Sequence, residues 1–196
     1  MATKRAGVLT AEQFANLMGR VAGTAHPERD RVMLLLSFKC GLRACEITRL
    51  KWDDVTDAEG NILKAKEWIE LGHDITKGKK PDTKVAMHPE LVEALVKLRA
   101  TSPNKKFLMY APQAKNGAMS VSNVTVYLYN LYKRFGFSKC SSHTGRRTFI
   151  TTLARVCNEH KCSIKDVQEL ARHSDLRTTE KYIEPSQRIL ELASAI

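Results

Sequence analysis

Within the stretch from Pro27 to Cys40 every position from Val32 to Phe38 except Ser37 is apolar, with Val32, Met33, Leu34, Leu35, Leu36 and Phe38 nearly side by side. A helix that is apolar all round has to be enclosed, either by the rest of a protein or by lipid. Crossing a bilayer takes about 20 consecutive apolar residues, and the run from Val32 to Phe38 is far shorter. The segment is therefore expected to be a helix buried in the middle of a domain, ended by Gly41. Everything else in the chain has to be arranged around it.

The candidates for that surrounding are mostly helices. Thr10 followed by Gln13 reads as a capping box opening a helix with Phe14, Leu17, Met18 and Val21 on one face. Pro89 fits the first position of a helix carrying Leu91, Leu95 and Leu98, and another amphipathic helix spans roughly Val121 to Phe135. Within it Tyr127, Leu128, Leu131 and Tyr132 are expected to fill core. Ser163 with Asp166 caps a helix whose Ile164, Val167, Leu170 and Ala171 face inward, and His173 falls just beyond its end. Residues 66–87 differ: β-favouring pieces around Trp68–Leu71 and Lys84–Met87 flank the basic turn Thr76–Pro81. The expected fold class is α+β, mainly α-helical, with one small antiparallel sheet.

Charge and cysteine usage narrow the partners. Lysine and arginine total 32 against 21 acidic residues, a net charge of +11 that favours polyanions such as nucleic acid. Five cysteines (Cys40, Cys45, Cys140, Cys157, Cys162) without a secretory segment argue against a disulfide framework and suit a reducing cytoplasm. Cys157, His160 and Cys162 lack a fourth ligand and a second spaced pair, so zinc is not expected, and neither is any cofactor. His26, His73, His88 and His160 are read as surface or loop histidines.

Two arginines, two histidines and a tyrosine stand in segments that point to phosphoryl chemistry. Arg43 lies in Gly-Leu-Arg-Ala-Cys-Glu at a turn between two helices, and His143 and Arg146 lie one helical turn apart in His-Thr-Gly-Arg. His173 and Tyr182 are nine residues apart with Thr178-Thr179 between them. Attack on a phosphodiester builds negative charge on the non-bridging oxygens, which arginine forks neutralise bidentately, and a phenol can store the broken strand covalently. No metal is then needed.

The segments GLRACEITRLKWDDV (41–55), ITKGKKPDTKVAMHP (75–89), HTGRRTFITTLA (143–154) and VQELARHSDLRTTEKYIE (167–184), in that order, resemble the catalytic domain of the tyrosine recombinases, the phage integrase family. By position, the resemblance implies that Arg43 and Arg146 clamp the phosphate and that Lys77 is the hairpin lysine protonating the leaving oxygen. It likewise implies that His143 and His173 are the two histidine positions, that Tyr182 is the nucleophile, and that Glu46 holds Arg43. It implies a site-specific recombinase acting through a 3′-phosphotyrosyl link on double-stranded DNA, as a homo-oligomer (a tetramer on paired sites), with DNA-bending accessory proteins and no membrane, in a bacterial nucleoid or phage-infected cell. Type IB topoisomerase-like relaxation, or a catalytically idle DNA-binding regulator, shares the fold.

By this reading residues 1–9 form a flexible arm, 10–185 the catalytic domain, and 186–196 a C-terminal helix that packs on its own domain or on a neighbouring protomer. The helical DNA-clamping domain of most family members does not precede the catalytic segment, which suits a short recombinase or a catalytic fragment. Two positions depart from the family pattern. Arg172 stands where glycine usually turns the backbone tightly, and Gly145 replaces an apolar residue, which predicts a lost core contact and a looser helix start.

Overall fold

The computed structural model describes residues 6–72, 74–75, 83–103, 106–111, 113–115, 117–157 and 159–183. It divides into two compact units, Met1–Phe149 and Ile150–Ile196.

In the first unit α1 (Ala11–Val21) opens as its sequence requires. The Thr10 hydroxyl accepts the Gln13 N–H and the Gln13 side chain accepts the Thr10 N–H, at 3.2 and 2.9 Å. Next comes α2 (Pro27–Phe38), with Pro27 in its first turn and every residue from Val32 to Phe38 buried. Burial reaches further back than the apolar run, to Arg29 and Asp30. Their ion pair, at 3.2 Å, is roofed by Tyr127, whose hydroxyl donates to Asp30 while its ring lies 5.0 Å from the Arg29 guanidinium. Two charges withdrawn from water are tolerable only when paired and hydrogen-bonded in this way. Burial, together with the bond to Asp30, pushes the Tyr127 phenol up to about 12.

After α2 the chain forms α3 (Ala44–Arg49) and a 3-10 turn at Trp52–Val55, which no sequence signal announced. β1 (Trp68–Leu71) pairs antiparallel with β2 (Thr83–Ala86), Ile69 opposite Val85, so that Ile69, Leu71 and Val85 face inward. α4 (Pro89–Thr101) is capped by His88, read from the sequence as a surface or loop histidine, whose Nδ1 accepts the Glu90 N–H at 3.3 Å. α5 (Val121–Arg134) buries Val124, Leu128, Leu131 and Tyr132. One apolar cluster, running from Leu9 to Cys140, includes all of these faces with α2 among them.

The described part of the expected N-terminal arm is tied down. Gly7 donates its N–H to Lys139 O at 2.8 Å, Ala6 O accepts from Arg147, and Leu9 N–H donates to Thr148 Oγ1 at 3.1 Å. These bonds satisfy backbone groups that an unpaired arm would leave to water. α6 (Thr144–Val156) starts in this unit and ends in the second, which also holds α7 (Ile164–Leu170) and α8 (Leu176–Glu180). Among the described residues no helix is long and apolar enough to cross a membrane. Among the described residues, the mainly helical architecture with one two-stranded antiparallel sheet is the expected fold class. Residues 1–5 and the proposed helix at 186–196 lie outside the described residues.

Candidate active site

In the first unit the site is assembled around the end of α2. Gly41 ends that helix with φ +62°, and a Cβ there would stand 2.3 Å from the Phe149 ring, so only glycine permits both the turn and the approach of α6. The turn aims the Gly41 carbonyl at Arg146, whose Nη1 donates to it at 2.5 Å; Arg146 is buried. Two residues on, Arg43 is the residue preceding α3. Its backbone N–H and its Nη1 both donate to the carboxylate of Glu46, at 2.8 and 2.7 Å. Glu46 is buried and Arg43 about one quarter exposed, so the carboxylate fixes a guanidinium that still reaches the surface. Sequence reasoning anticipated the Glu46 contact; it missed the link from Gly41 to Arg146.

His143 immediately precedes α6 and is exposed, its N–H donating to Ser141 Oγ at 3.3 Å. Arg146 follows within the first turn of the same helix, close to the start expected near Ser142. Gly145 does the opposite of what its sequence suggested. A Cβ at this position would lie 2.2 Å from Ser37 Oγ and 2.7 Å from a ring carbon of Phe38. The missing side chain is what lets α6 lie against α2; a larger apolar residue would clash rather than add a core contact.

In the second unit α7 ends in a Schellman turn. Arg172 N–H donates to Glu169 O at 2.8 Å and His173 N–H to Gln168 O at 3.1 Å, with Arg172 in the left-handed region at φ +55°. The tight turn that glycine usually makes is thus retained with a residue carrying a Cβ. Gln168, buried, donates its side-chain amide back to His173 O at 3.0 Å. His173 Nδ1 lies 3.0 Å from the hydroxyl of Thr179, a fully buried side chain in α8. Tyr182 follows α8, its N–H donating to Thr179 O at 2.9 Å and its ring stacked on the His173 imidazole at 5.9 Å between centroids. Tyr182 is half-buried.

Arg43, His143 and Arg146 are therefore gathered on adjoining turns of the first unit, and His173 and Tyr182 on adjoining turns of the second. Lys77 lies outside the described residues. Among the described residues no three His, Cys, Asp or Glu side chains come together as a metal ion would require. Gln168 and Thr179 were not foreseen as site residues; the Thr-Thr pair between the histidine and the tyrosine was the available signal for the second.

Tyrosine recombinase XerA of Thermococcus kodakarensis is 29% identical over 177 residues, covering 89% of this chain and 56% of the relative. Tyrosine recombinase XerC of Caldanaerobacter subterraneus is 25% identical over 179 residues, covering 89% and 46%. The chain thus spans about half the length of the curated relatives it matches. Among solved structures, the Tn1549 transposon integrase in complex with transposon right-end DNA superposes with a TM-score of 0.76 at 19% identity, over 99% of this chain and 66% of that one. XerH site-specific recombinase bound to its difH substrate gives 0.73 at 20% identity, over 100% and 55%. These likenesses establish the shared fold. The profile of the phage integrase family matches residues 7–188, nearly the whole chain, and the protein belongs to that family.

Proposed function

We propose that this chain carries out the strand cleavage and rejoining of a site-specific DNA recombinase, with Tyr182 as nucleophile. The observation that carries this reading is the Tyr182 ring stacked on an imidazole that is itself fixed at both backbone and ring. The Tyr182 oxygen attacks the scissile phosphorus, the bond from phosphorus to the 5′-oxygen breaks, and the products are a 3′-phosphotyrosyl link and a 5′-hydroxyl. The phenolic proton departs as the new bond forms, with His143 assisting. The leaving oxygen takes a proton from Lys77, the residue that family position favours. Arg43, oriented by Glu46, and Arg146, oriented by Gly41, stabilise charge on the non-bridging oxygens. His173 adds a hydrogen bond to the same oxygens. Reversal by a 5′-hydroxyl from a second strand rejoins the DNA without nucleotide hydrolysis, because the phosphotyrosyl bond conserves the energy of the bond that was broken.

Duplex DNA as substrate is supported by the net charge of +11 and by relatives solved with DNA bound. Exchange between two duplexes breaks four strands, so the working form is a homotetramer on paired sites, with DNA-bending proteins helping to assemble it. The place of action is the nucleoid or a phage-infected cytoplasm. Residues 10–185 form the catalytic domain in this reading.

A duplex nicked beside the cleavage site tests the chemistry, since loss of the short strand traps the intermediate. We expect a covalent adduct that survives EDTA and disappears in Tyr182→Phe with DNA affinity nearly unchanged. An adduct persisting in that variant would move the nucleophile elsewhere. Transfer between two sites distinguishes recombination from relaxation of a single duplex.

A further inference from the structure

We infer that Thr179 is a positioning residue that fixes which ring nitrogen of His173 carries the proton, a role that rests on reading His173 as a hydrogen-bond donor to the scissile phosphate. The Thr179 side chain is fully buried, and its hydroxyl oxygen lies 3.0 Å from His173 Nδ1. Among the described residues no carbonyl or carboxylate takes a hydrogen bond from this hydroxyl. A buried hydroxyl proton left without an acceptor is costly. Among the described residues the hydrogen-bond partner of the hydroxyl is Nδ1, so the hydroxyl donates and Nδ1 presents its lone pair. A neutral imidazole with Nδ1 accepting must carry its proton on Nε2.

The opposite arrangement, with Nδ1–H donating to the threonine oxygen, would strand the hydroxyl proton in the interior and leave Nε2 a bare acceptor. Such an acceptor would face the negatively charged oxygens of a phosphate with a lone pair. The threonine thereby selects the form of the ring that can donate. Position is fixed by the same residue, because the Thr179 carbonyl accepts the Tyr182 N–H at 2.9 Å while Gln168 holds the His173 carbonyl at 3.0 Å. One residue thus ties the ring's protonation pattern, through its buried hydroxyl, to the placement of the Tyr182 backbone, through its carbonyl.

The test is nitrogen-15 NMR of the full chain labelled at histidine, combined with cleavage of the nicked duplex. In the unsubstituted protein at a pH where the ring is neutral, His173 should be protonated at Nε2. Thr179→Val, nearly the same shape without the hydroxyl, should lose that preference and give a mixture of the two forms, and Thr179→Ser should restore it. Cleavage by Thr179→Val should slow about tenfold, the loss expected for one net hydrogen bond, with half-saturating DNA concentration unchanged and with rescue by serine. An Nδ1-protonated ring in the unsubstituted protein overturns the assignment, and that spectrum decides the matter even if the valine variant does not fold. An Nε2 form that persists in Thr179→Val overturns it equally. If the spectra follow the expected pattern but no adduct forms with any duplex, the threonine's role stands and the recombinase reading fails.

Discussion

Arg146 donates to the carbonyl of Gly41 at 2.5 Å, so a guanidinium on α6 is held by the turn that ends α2, two residues before Arg43. The positions of both arginines therefore depend on one backbone conformation, and that conformation is left-handed. Replacing Gly41 by alanine should cost about 1–2 kcal/mol for the positive φ and about 1–3 kcal/mol more for the collision with Phe149. Denaturant unfolding measures the sum. Wild-type stability in Gly41→Ala would mean that neither the turn nor the aromatic contact is as described.

Gly145→Ala separates two opposing expectations. Helix propensity alone favours the change by about 1 kcal/mol, whereas the Cβ would meet Ser37 and Phe38 at 2.2 and 2.7 Å. We expect overpacking to win, with a net destabilisation of about 1–3 kcal/mol. A rise in melting temperature would show that α6 can move away from α2 at little cost.

At Arg172 the backbone and the side chain can be separated by comparing two variants. Arg172→Ala and Arg172→Gly both remove the guanidinium, but only glycine relieves φ +55°. The glycine variant should be the more stable of the two by about 1 kcal/mol. Equal stabilities would place the turn outside the left-handed region.

Alkaline pH should loosen the cluster around Asp30. The Tyr127 phenol titrates near 10 when unfolded and at about 12 in the folded chain, chiefly through burial and then through its bond to Asp30. Between those values the unfolded state releases a proton that the folded state retains, so stability is full below pH 10 and falls as pH rises towards 12. Tyr127→Phe should flatten that decline in part, Tyr132 being pushed up by burial as well. A stability profile above pH 10 that is identical in the variant would contradict the assignment.

The elements that were legible in the sequence are those whose ends are set by local chemistry. Thr10 with Gln13, Ser163 with Asp166, and the prolines at 27 and 89 each act within a turn of their own position, and each marks a helix end where expected. Glu46 was legible for the same reason, standing three residues from its arginine. Features that depend on a distant neighbour were hidden. Gly145 could not be understood without Ser37, nor the burial of Asp30 without Tyr127, 97 residues away. The Thr179 contact with His173 joins residues only six apart, yet it needs the intervening turn before the two side chains can meet.

At five residues, α8 is little more than one turn, and a helix of that length does not persist in water by its own hydrogen bonds. Its order comes from the buried Thr179 and from the bonds that Asp175 and Thr179 make at its two ends. The segment bearing Tyr182 should thus belong to the least protected part of the second unit, opening in hydrogen exchange well before the chain unfolds as a whole. A small energy difference then governs how often the phenol is in place. An added contact of about 1.4 kcal/mol changes the ratio of ordered to open forms tenfold, so a modest interaction at this short helix sets how often the tyrosine is presented.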